Sequence, residues 1–379
     1  MSHPSFLADW TAELVRDFYQ VQENNRDGMR FPVKGATLTR LRNRVREGIF
    51  SLAARQKLIY ADAGQWPRMT ERLTFILERA EAFQEFYATL ADDPSRAIMV
   101  KVLAFQGLGS RRVKLPTNNP RYWQSVALVK GRLCAQEKSI QIPSLDGWLN
   151  RYDLSAAGFP IRLNAHPLNI LATFLLEQYG YNKEGAQVQV APGDVVIDAG
   201  ACWGDTTLYF AARAGETGVV HAFEFFFGNL MILEENLTLN PELKSRIRVI
   251  PRAVWSVSES ELSFVENGPG STLDPNTPNA SSGATRARTL SLDDFVEQKK
   301  LERVDFVKMD IEGAELDALK GSAQTIRRFK PKLAIAVYHK PDDLIVIPRY
   351  IQSLGVDYRY YLDHFSIHAE ETVLFARPV

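Results

Sequence analysis

Val195-Val196-Ile197-Asp198-Ala199-Gly200-Ala201-Cys202-Trp203-Gly204-Asp205-Thr206-Thr207 is the stretch whose reading decides the fold. An apolar run ends in an acid, a tight turn with two glycines follows, and a helix begins. Gly200 lets the backbone turn sharply and approach a ligand closely, and Gly204 lets the start of the helix pack on the strand. The middle glycine of a G-x-G-x-x-G spacing is absent, which disfavours a pyrophosphate ligand. A second apolar run, His221-Ala222-Phe223, ends in Glu224. It lies about twenty residues downstream, where an acid can accept the hydroxyls of a ribose.

Outward from this stretch, strand runs alternate with helical runs. Strands are expected at 195–199, 219–224, 248–253, 304–310 and 333–339, with helices near 206–213, 229–239, 292–299 and 314–329. Such alternation makes a parallel sheet with helices on both faces. Two last strands, 358–362 and 372–376, should form an antiparallel hairpin. Residues 266–284 are rich in Gly, Pro, Ser and Asn and are expected to be a loop, a lid beside the ligand edge. Before all this the texture is helical, near 7–21, 37–61, 69–90 and 97–105, followed by short strand-like runs at 125–128 and 140–142. The expected division is a mainly helical N-terminal domain over 1–150 and a ligand-binding domain over 151–379.

The run 191–379 resembles the FkbM-type family of S-adenosylmethionine-dependent methyltransferases. The likeness is carried by PGDVVIDAGACWGDTTLYFA (192–211), VVHAFEFFFGNLMILEENLTLN (219–240), RAV (252–254) with TLSLDDF (289–295), and FVKMDIEGAE (306–315). The resemblance implies an α/β class I methyltransferase fold, Rossmann-like, and S-adenosylmethionine as cofactor. Asp198, Gly200 and the backbone of Ala201, Cys202 and Trp203 would line its methionine end, with Gly204 closing the loop. Asp205 and Thr206 would sit near its amino-acid part. Glu224 would hold the ribose, Phe225 would flank the adenine, and Arg252 and Ala253 would border the adenine edge. The family is associated with hydroxyl acceptors on sugars, polysaccharides and secondary metabolites. Two other readings stand beside this one: a non-catalytic protein acting through its helical part, and a nicotinamide oxidoreductase. The five intact site residues Asp198, Gly200, Glu224, Asp310 and His339 speak against the first. The missing glycine and the FVKMDIEGAE run speak against the second.

Methyl transfer needs an oriented acceptor and a group to take its proton. His339, near the end of the fifth strand, is the expected general base, because an imidazole titrates near neutrality. Asp310 would orient His339 or contact the sulfonium side of the cofactor. Asp310, Glu312 and His339 also form a conceivable divalent-metal set, but Asp-x-Glu is weak spacing evidence and no metal is expected. Glu312 and Glu315 have a plainer reading as acids favouring a helix N-terminus. His364 and His368 are expected to be solvated in the last hairpin, His166 and His221 to be structural.

The formal net charge is zero, yet residues 1–150 carry an excess of about seven positive charges, balanced in the rest of the chain. Lys101, Arg111, Arg112, Lys114, Arg121, Lys130, Arg132 and Lys138 supply most of it. They would suit a small-molecule or glycan acceptor bearing phosphate or carboxylate, or they simply form a solvated face. No N/D-P-P-Y/F base-flipping motif is present, which argues against nucleic acid. Two cysteines exclude a disulfide framework, and neither a signal sequence nor a bilayer-spanning run is legible, so a cytoplasmic location is expected.

Overall fold

The computed structural model describes residues 4–20, 22, 25, 66–142, 147–265, 272–274 and 285–379. The chain begins in helices: α1 (Phe6–Phe18), α2 (Trp66–Glu78), α3 (Ala80–Thr89), α4 (Asp93–Leu108) and α5 (Pro120–Lys130). Local chemistry sets their starts. Ser5 caps α1, and Asp92 caps α4 by accepting the Ser95 N–H at 2.9 Å. Residues 125–128, expected as a strand-like run, lie inside α5. The Asn119 side chain accepts the Tyr122 N–H and Pro120 opens the first turn, a helix start that outweighs the β-branched residues behind it. The helix expected at 37–61 lies outside the described residues.

A three-stranded antiparallel sheet follows, β1 (Cys134–Ile142), β2 (Gly147–Asp153) and β3 (Arg162–Ala165). Residue 150 falls within β2, which pairs on both sides, so a cut there would divide a paired strand. A π-helical turn, Ile170–Leu175, and the small hairpin β4 (Tyr181–Lys183) and β5 (Ala186–Val188) lead into the main sheet.

In chain order the main sheet is β6 (Val195–Ala199), α6 (Asp205–Ala214), β7 (Val219–Phe223), α7 (Phe227–Thr238) and β8 (Ile247–Ile250) on one side. The chain then makes β9 (Ala253–Val254), β10 (Glu261–Val265), β11 (Thr272–Asp274), β12 (Thr285–Leu290) and α8 (Leu292–Lys299). It returns as β13 (Phe306–Met309), α9 (Glu315–Lys320), α10 (Ala323–Phe329), β14 (Lys332–Ala336), α11 (Asp343–Ser353), β15 (Tyr358–His364) and β16 (Thr372–Pro378). The seven-stranded order is β15-β16-β14-β13-β6-β7-β8. Strands β14, β13, β6, β7 and β8 are parallel, and β16 slots antiparallel between β14 and β15. The mostly parallel α/β sheet closed by an antiparallel C-terminal hairpin, expected from sequence, is the fold found. One strand differs: the third stops at Ile250, and Ala253-Val254 instead pairs in parallel with Thr289-Leu290 in a separate sheet, β11-β10-β12-β9. Apart from Thr272–Asp274, which pairs with β10, the lid expected at 266–284 lies outside the described residues.

The N-terminal helices form a layer on this sheet. One apolar core runs from Phe6 and Trp10 through Met99 and Leu103 to Ile335 and Leu374. The edge strand β15 is covered by the start of α4: Ser95 Oγ accepts the Leu362 N–H at 3.0 Å, and the Ala91 N–H donates to Tyr360 at 2.9 Å. Covering an edge in this way removes a template for pairing with other chains. Among the described residues no helix is long and apolar enough to cross a membrane.

Candidate active site at the strand switch point

From β6 the chain winds to one side of the sheet, and β13 opens the other. The crevice between their carboxyl ends is where an open α/β sheet binds ligands. Gly200 leaves β6 with φ +85°, and an added Cβ would lie 1.9 Å from the Asp310 carbonyl oxygen. Only glycine lets the two strand ends approach so closely. Here a cavity of about 670 Å³ opens, within the usual size for a small-molecule site. Gly200, Cys202, Trp203, Asp205 and Thr206 line one wall, and Asp310, Glu312, Tyr338 and His339 another. The turn Phe365–Glu371 between β15 and β16 and the segment 166–179 close the rest.

Beneath the loop lies a buried ion pair. Lys308 Nζ is 3.2 Å from Asp198 Oδ1 and donates to the carbonyls of Ala199 (3.1 Å) and Gly200 (2.7 Å). Asp198 Oδ2 accepts from the Thr206 and Thr207 hydroxyls at 2.8 and 2.6 Å, tying the start of α6 to the end of β6. Burial works against the Lys308 charge, but Asp198, Asp310 and Asp205 more than offset it and hold the ammonium above its ordinary pKa. Asp205, buried and accepting from the Thr173 hydroxyl at 2.8 Å, has its own pKa raised by burial.

The opposite wall is acidic and ordered by tyrosines. Asp310 Oδ2 accepts from Tyr179 at 2.5 Å and from Tyr338 at 3.2 Å; Tyr338 also reaches Glu371 at 3.3 Å, and Gln178 donates to Glu371 at 2.6 Å. His339 Nδ1 is 3.0 Å from Oε1 of the fully buried Glu315, whose same oxygen accepts the Ile311 N–H at 2.8 Å. His339 Nε2 faces Asp310 Oδ1 at 3.4 Å and Glu312 Oε2 at 3.5 Å. Burial opposes a charged ring, but Glu315, Asp310 and Glu312 together raise the His339 pKa to about 10. Burial, with Asp310 adding to it, raises Glu312 to about 7.

At the second strand's end, Glu224 Oε1 accepts the N–H groups of Phe225 (2.8 Å) and Phe226 (2.7 Å), and Oε2 the Asn229 amide at 3.3 Å. Burial raises its pKa to about 6 against these donors. Phe225, Phe226, Ala253 and Ala287 cluster beside it as an apolar patch.

Residues 198–360, which span the glycine turn, Glu224 and both acidic strand ends, match the family model described as the methyltransferase FkbM domain. This stretch is therefore similar to an FkbM methyltransferase domain. The crystal structure of methyltransferase FkbM from Methylobacillus flagellatus KT is similar over 80% of this chain and 60% of that one, with 22% identity and a TM-score of 0.50. The present chain thus covers less than two thirds of that relative. Weaker likenesses include an S-adenosylmethionine-dependent O-methyltransferase from Thermotoga maritima (15% identity, 51% of this chain, 62% of that one, TM-score 0.32). Another is Aeropyrum pernix fibrillarin, crystallised with natively bound S-adenosyl-L-methionine (12% identity, 60% and 93%, TM-score 0.33). No curated protein matches the sequence.

The fold brings most of the expected site residues to one crevice, with differences. Gly200, Cys202, Trp203, Asp205, Thr206, Asp310, Glu312 and His339 line the cavity. Asp198 lies below it, and Ala201 is fully buried. Gly204, with φ +85°, lets α6 start against Leu233 of α7 rather than against the strand, because the helix that follows β7 lies nearest the turn. Glu224, Phe225 and Ala253 stand beside the cavity rather than in its wall, and Arg252 turns its guanidinium to the Pro251 carbonyl. His339 is not the neutral ring expected of a base, because three carboxylates keep its proton on. His364 and His368 are buried rather than solvated, His364 held by Thr372 and Ser366, and both His368 and His166 line the cavity. Sequence reasoning gave no part to Tyr179, Tyr338, Lys308 or Glu371. Lys308 and Tyr338 sit within strand patterns that read as core, and nothing in spacing shows which way they face. None of the eight basic residues from Lys101 to Lys138 lines the cavity; Lys101 is committed to Glu13 and to Asp17 at 2.7 Å.

Proposed function

We propose that the protein is an S-adenosylmethionine-dependent methyltransferase acting on a hydroxyl group of an uncharged, sugar-like or secondary-metabolite acceptor. One observation carries the reading: the glycine turn after β6 opens, at the switch point of an FkbM domain, onto a cavity whose far wall bears Asp310, Glu312 and His339. When bound, the cofactor supplies a methyl group on a sulfonium. The turn from Gly200 to Trp203 admits its methionine end because no Cβ stands in the way. Asp205 is a buried anion for its ammonium. Glu224 offers the ribose its remaining acceptor capacity, and the Phe225–Ala253 patch is an apolar slot for the adenine. Five carboxylates, Asp205, Asp310, Glu312, Glu370 and Glu371, line the cavity with Lys308 as its single lysine, which repels an anionic acceptor. This reverses the use expected for the basic stretch.

The test is calorimetry with S-adenosylhomocysteine, followed by mass analysis of candidate polyols for a gained methyl group. Glu224→Ala should weaken binding more than about tenfold, since it removes a charge-assisted acceptor. In the wild type, affinity should fall as pH drops through about 6, where Glu224 takes up its proton, and Glu224→Gln should flatten that dependence. Unchanged affinity in both variants would remove Glu224 from the cofactor site.

A further inference from the structure

The geometry points to a divalent-cation site formed by Asp310 Oδ1, Glu312 Oε2 and His339 Nε2 on the acidic wall of the cavity. The cation fitting two carboxylates and an imidazole is of the magnesium–manganese kind. The three atoms lie within 4.8 Å of one another. The 3.4 and 3.5 Å from Nε2 to the two carboxylates are long for hydrogen bonds, and Nε2 has no hydrogen-bond partner. The His339 side chain is nevertheless 91% buried, its exposure being 9%. Two ligands about 2.1 Å from a shared ion and at right angles to each other stand about 3 Å apart, close to the spacing found.

The surroundings hold these three groups in a ligating posture. Glu315 sits 3.0 Å from Nδ1 and backs the ring, so that Nε2 faces Asp310 and Glu312, where a cation would take the place of its proton. A buried carboxylate behind a histidine is the usual backing of a metal ligand. Tyr179 holds Asp310 Oδ2 at 2.5 Å, Tyr338 is shared between the two oxygens at 3.2 Å from each, and Oδ1 is the oxygen nearest the ring. Glu312 is folded back by its own φ of +56° and by Gly313 at +92°, where a Cβ would stand 3.2 Å from Lys340 Cε. A second set, Glu315, His339 and Asp343, shares the imidazole. Glu315 and Asp343 are buried away from the cavity, each accepting a backbone N–H, so that set has no face for a ligand. The Asp310 set lines the cavity.

The sequence already offered Asp310, Glu312 and His339 as a conceivable set, set aside because Asp-x-Glu is weak spacing evidence. Folding adds their convergence and the carboxylate of Glu315 behind the ring. A cation here neutralises the acidic wall and leaves coordination positions open to the cavity. An acceptor hydroxyl bound there loses its proton to water. Its oxygen then forms the new C–O bond as the sulfonium's S–CH₃ bond breaks. Only this last role rests on the methyltransferase reading; the site itself does not.

The experiment therefore uses Mn²⁺ alone, titrated without cofactor into the metal-stripped full chain and followed by calorimetry and electron paramagnetic resonance. One Mn²⁺ per chain is expected, with imidazole nitrogen coupling that His339→Gln abolishes. Glu315→Gln, which touches no ion, should weaken binding 10–100-fold. Glu312→Gln, at a partly exposed position and keeping the side chain's size, should weaken it at least about tenfold. Circular dichroism establishes that each variant is folded. No Mn²⁺ binding by the wild type, or equal binding by folded Glu312→Gln, overturns the site. S-adenosylhomocysteine binding, measured separately, would survive that failure.

Discussion

Gly200→Ala is expected to abolish cofactor binding, weakening S-adenosylhomocysteine at least about a hundredfold. Two costs add. The φ of +85° belongs to the left-handed region, where a Cβ costs about 1–3 kcal/mol. The same Cβ would lie 1.9 Å from the Asp310 carbonyl oxygen and 3.1 Å from Ile311 Cγ2. That carbonyl cannot retreat easily, because the Asp310 N–H is held by Ala199 at 3.2 Å and Met309 is paired with Ala199 in the ladder. The turn must therefore open, which moves the Gly200–Trp203 backbone away from Asp310. Gly204→Ala is the contrast. Its backbone is equally left-handed, but its Cβ meets the Leu233 side chain at 3.2 Å, and a side chain can shift. Calorimetry on both variants checks this, and a Gly200→Ala protein binding within threefold of the wild type would refute it.

Lys308→Met is expected to destabilise the fold by about 3–5 kcal/mol, the typical cost of leaving a buried charge without its partner. Asp198 is fully buried, and its Oδ1 faces only the Lys308 ammonium, while Lys308 also binds the two carbonyls that open the turn. Replacing both, Lys308→Met with Asp198→Leu, should recover part of the loss, since a buried pair exchanged for apolar groups often costs little. The recovery will be incomplete because the Thr206 and Thr207 hydroxyls lose their acceptor. Urea unfolding of the three proteins measures this. A single-variant loss below about 1 kcal/mol would mean that Asp198 is satisfied in some other way.

Much of the sheet was legible because β6 and β7 are buried on both faces, and their apolar runs end in an acid at ligand-binding spacing. The strand after Ile250 was misread because Arg252-Ala253-Val254 continues the apolar pattern, while the two-residue β9 is stabilised by Thr289-Leu290, some thirty-five residues away. No local pattern encodes that pairing. Helix α5 was not legible because Val126 and Leu128 in the run 125–128 read as strand, while Asn119-Pro120 is as common in a loop as at a helix start. At the site, Asp310, Glu312 and His339 were visible as strand-end residues. The chemistry of His339 was not, because it depends on Glu315 facing Nδ1 across two loops. Tyr179 and Tyr338 reach Asp310 from segments 131 and 28 residues away in the chain, a convergence only the fold creates.

The place of β16 bears on how this protein can be divided. The stretch 198–360 begins in the fourth residue of β6 and stops before β16, yet β16 is an interior member of the sheet, bonded to β14 on one side and β15 on the other. A recombinant fragment trimmed to those limits would carry half a central strand and a slot one strand wide. It would also lack the Phe365–Glu371 turn that closes the cavity and the α4 residues that shield β15. The family-matching stretch and the folding unit therefore have different boundaries here. Expression trials should keep the helices before β1 and the final hairpin together with the segment that carries the reacting groups.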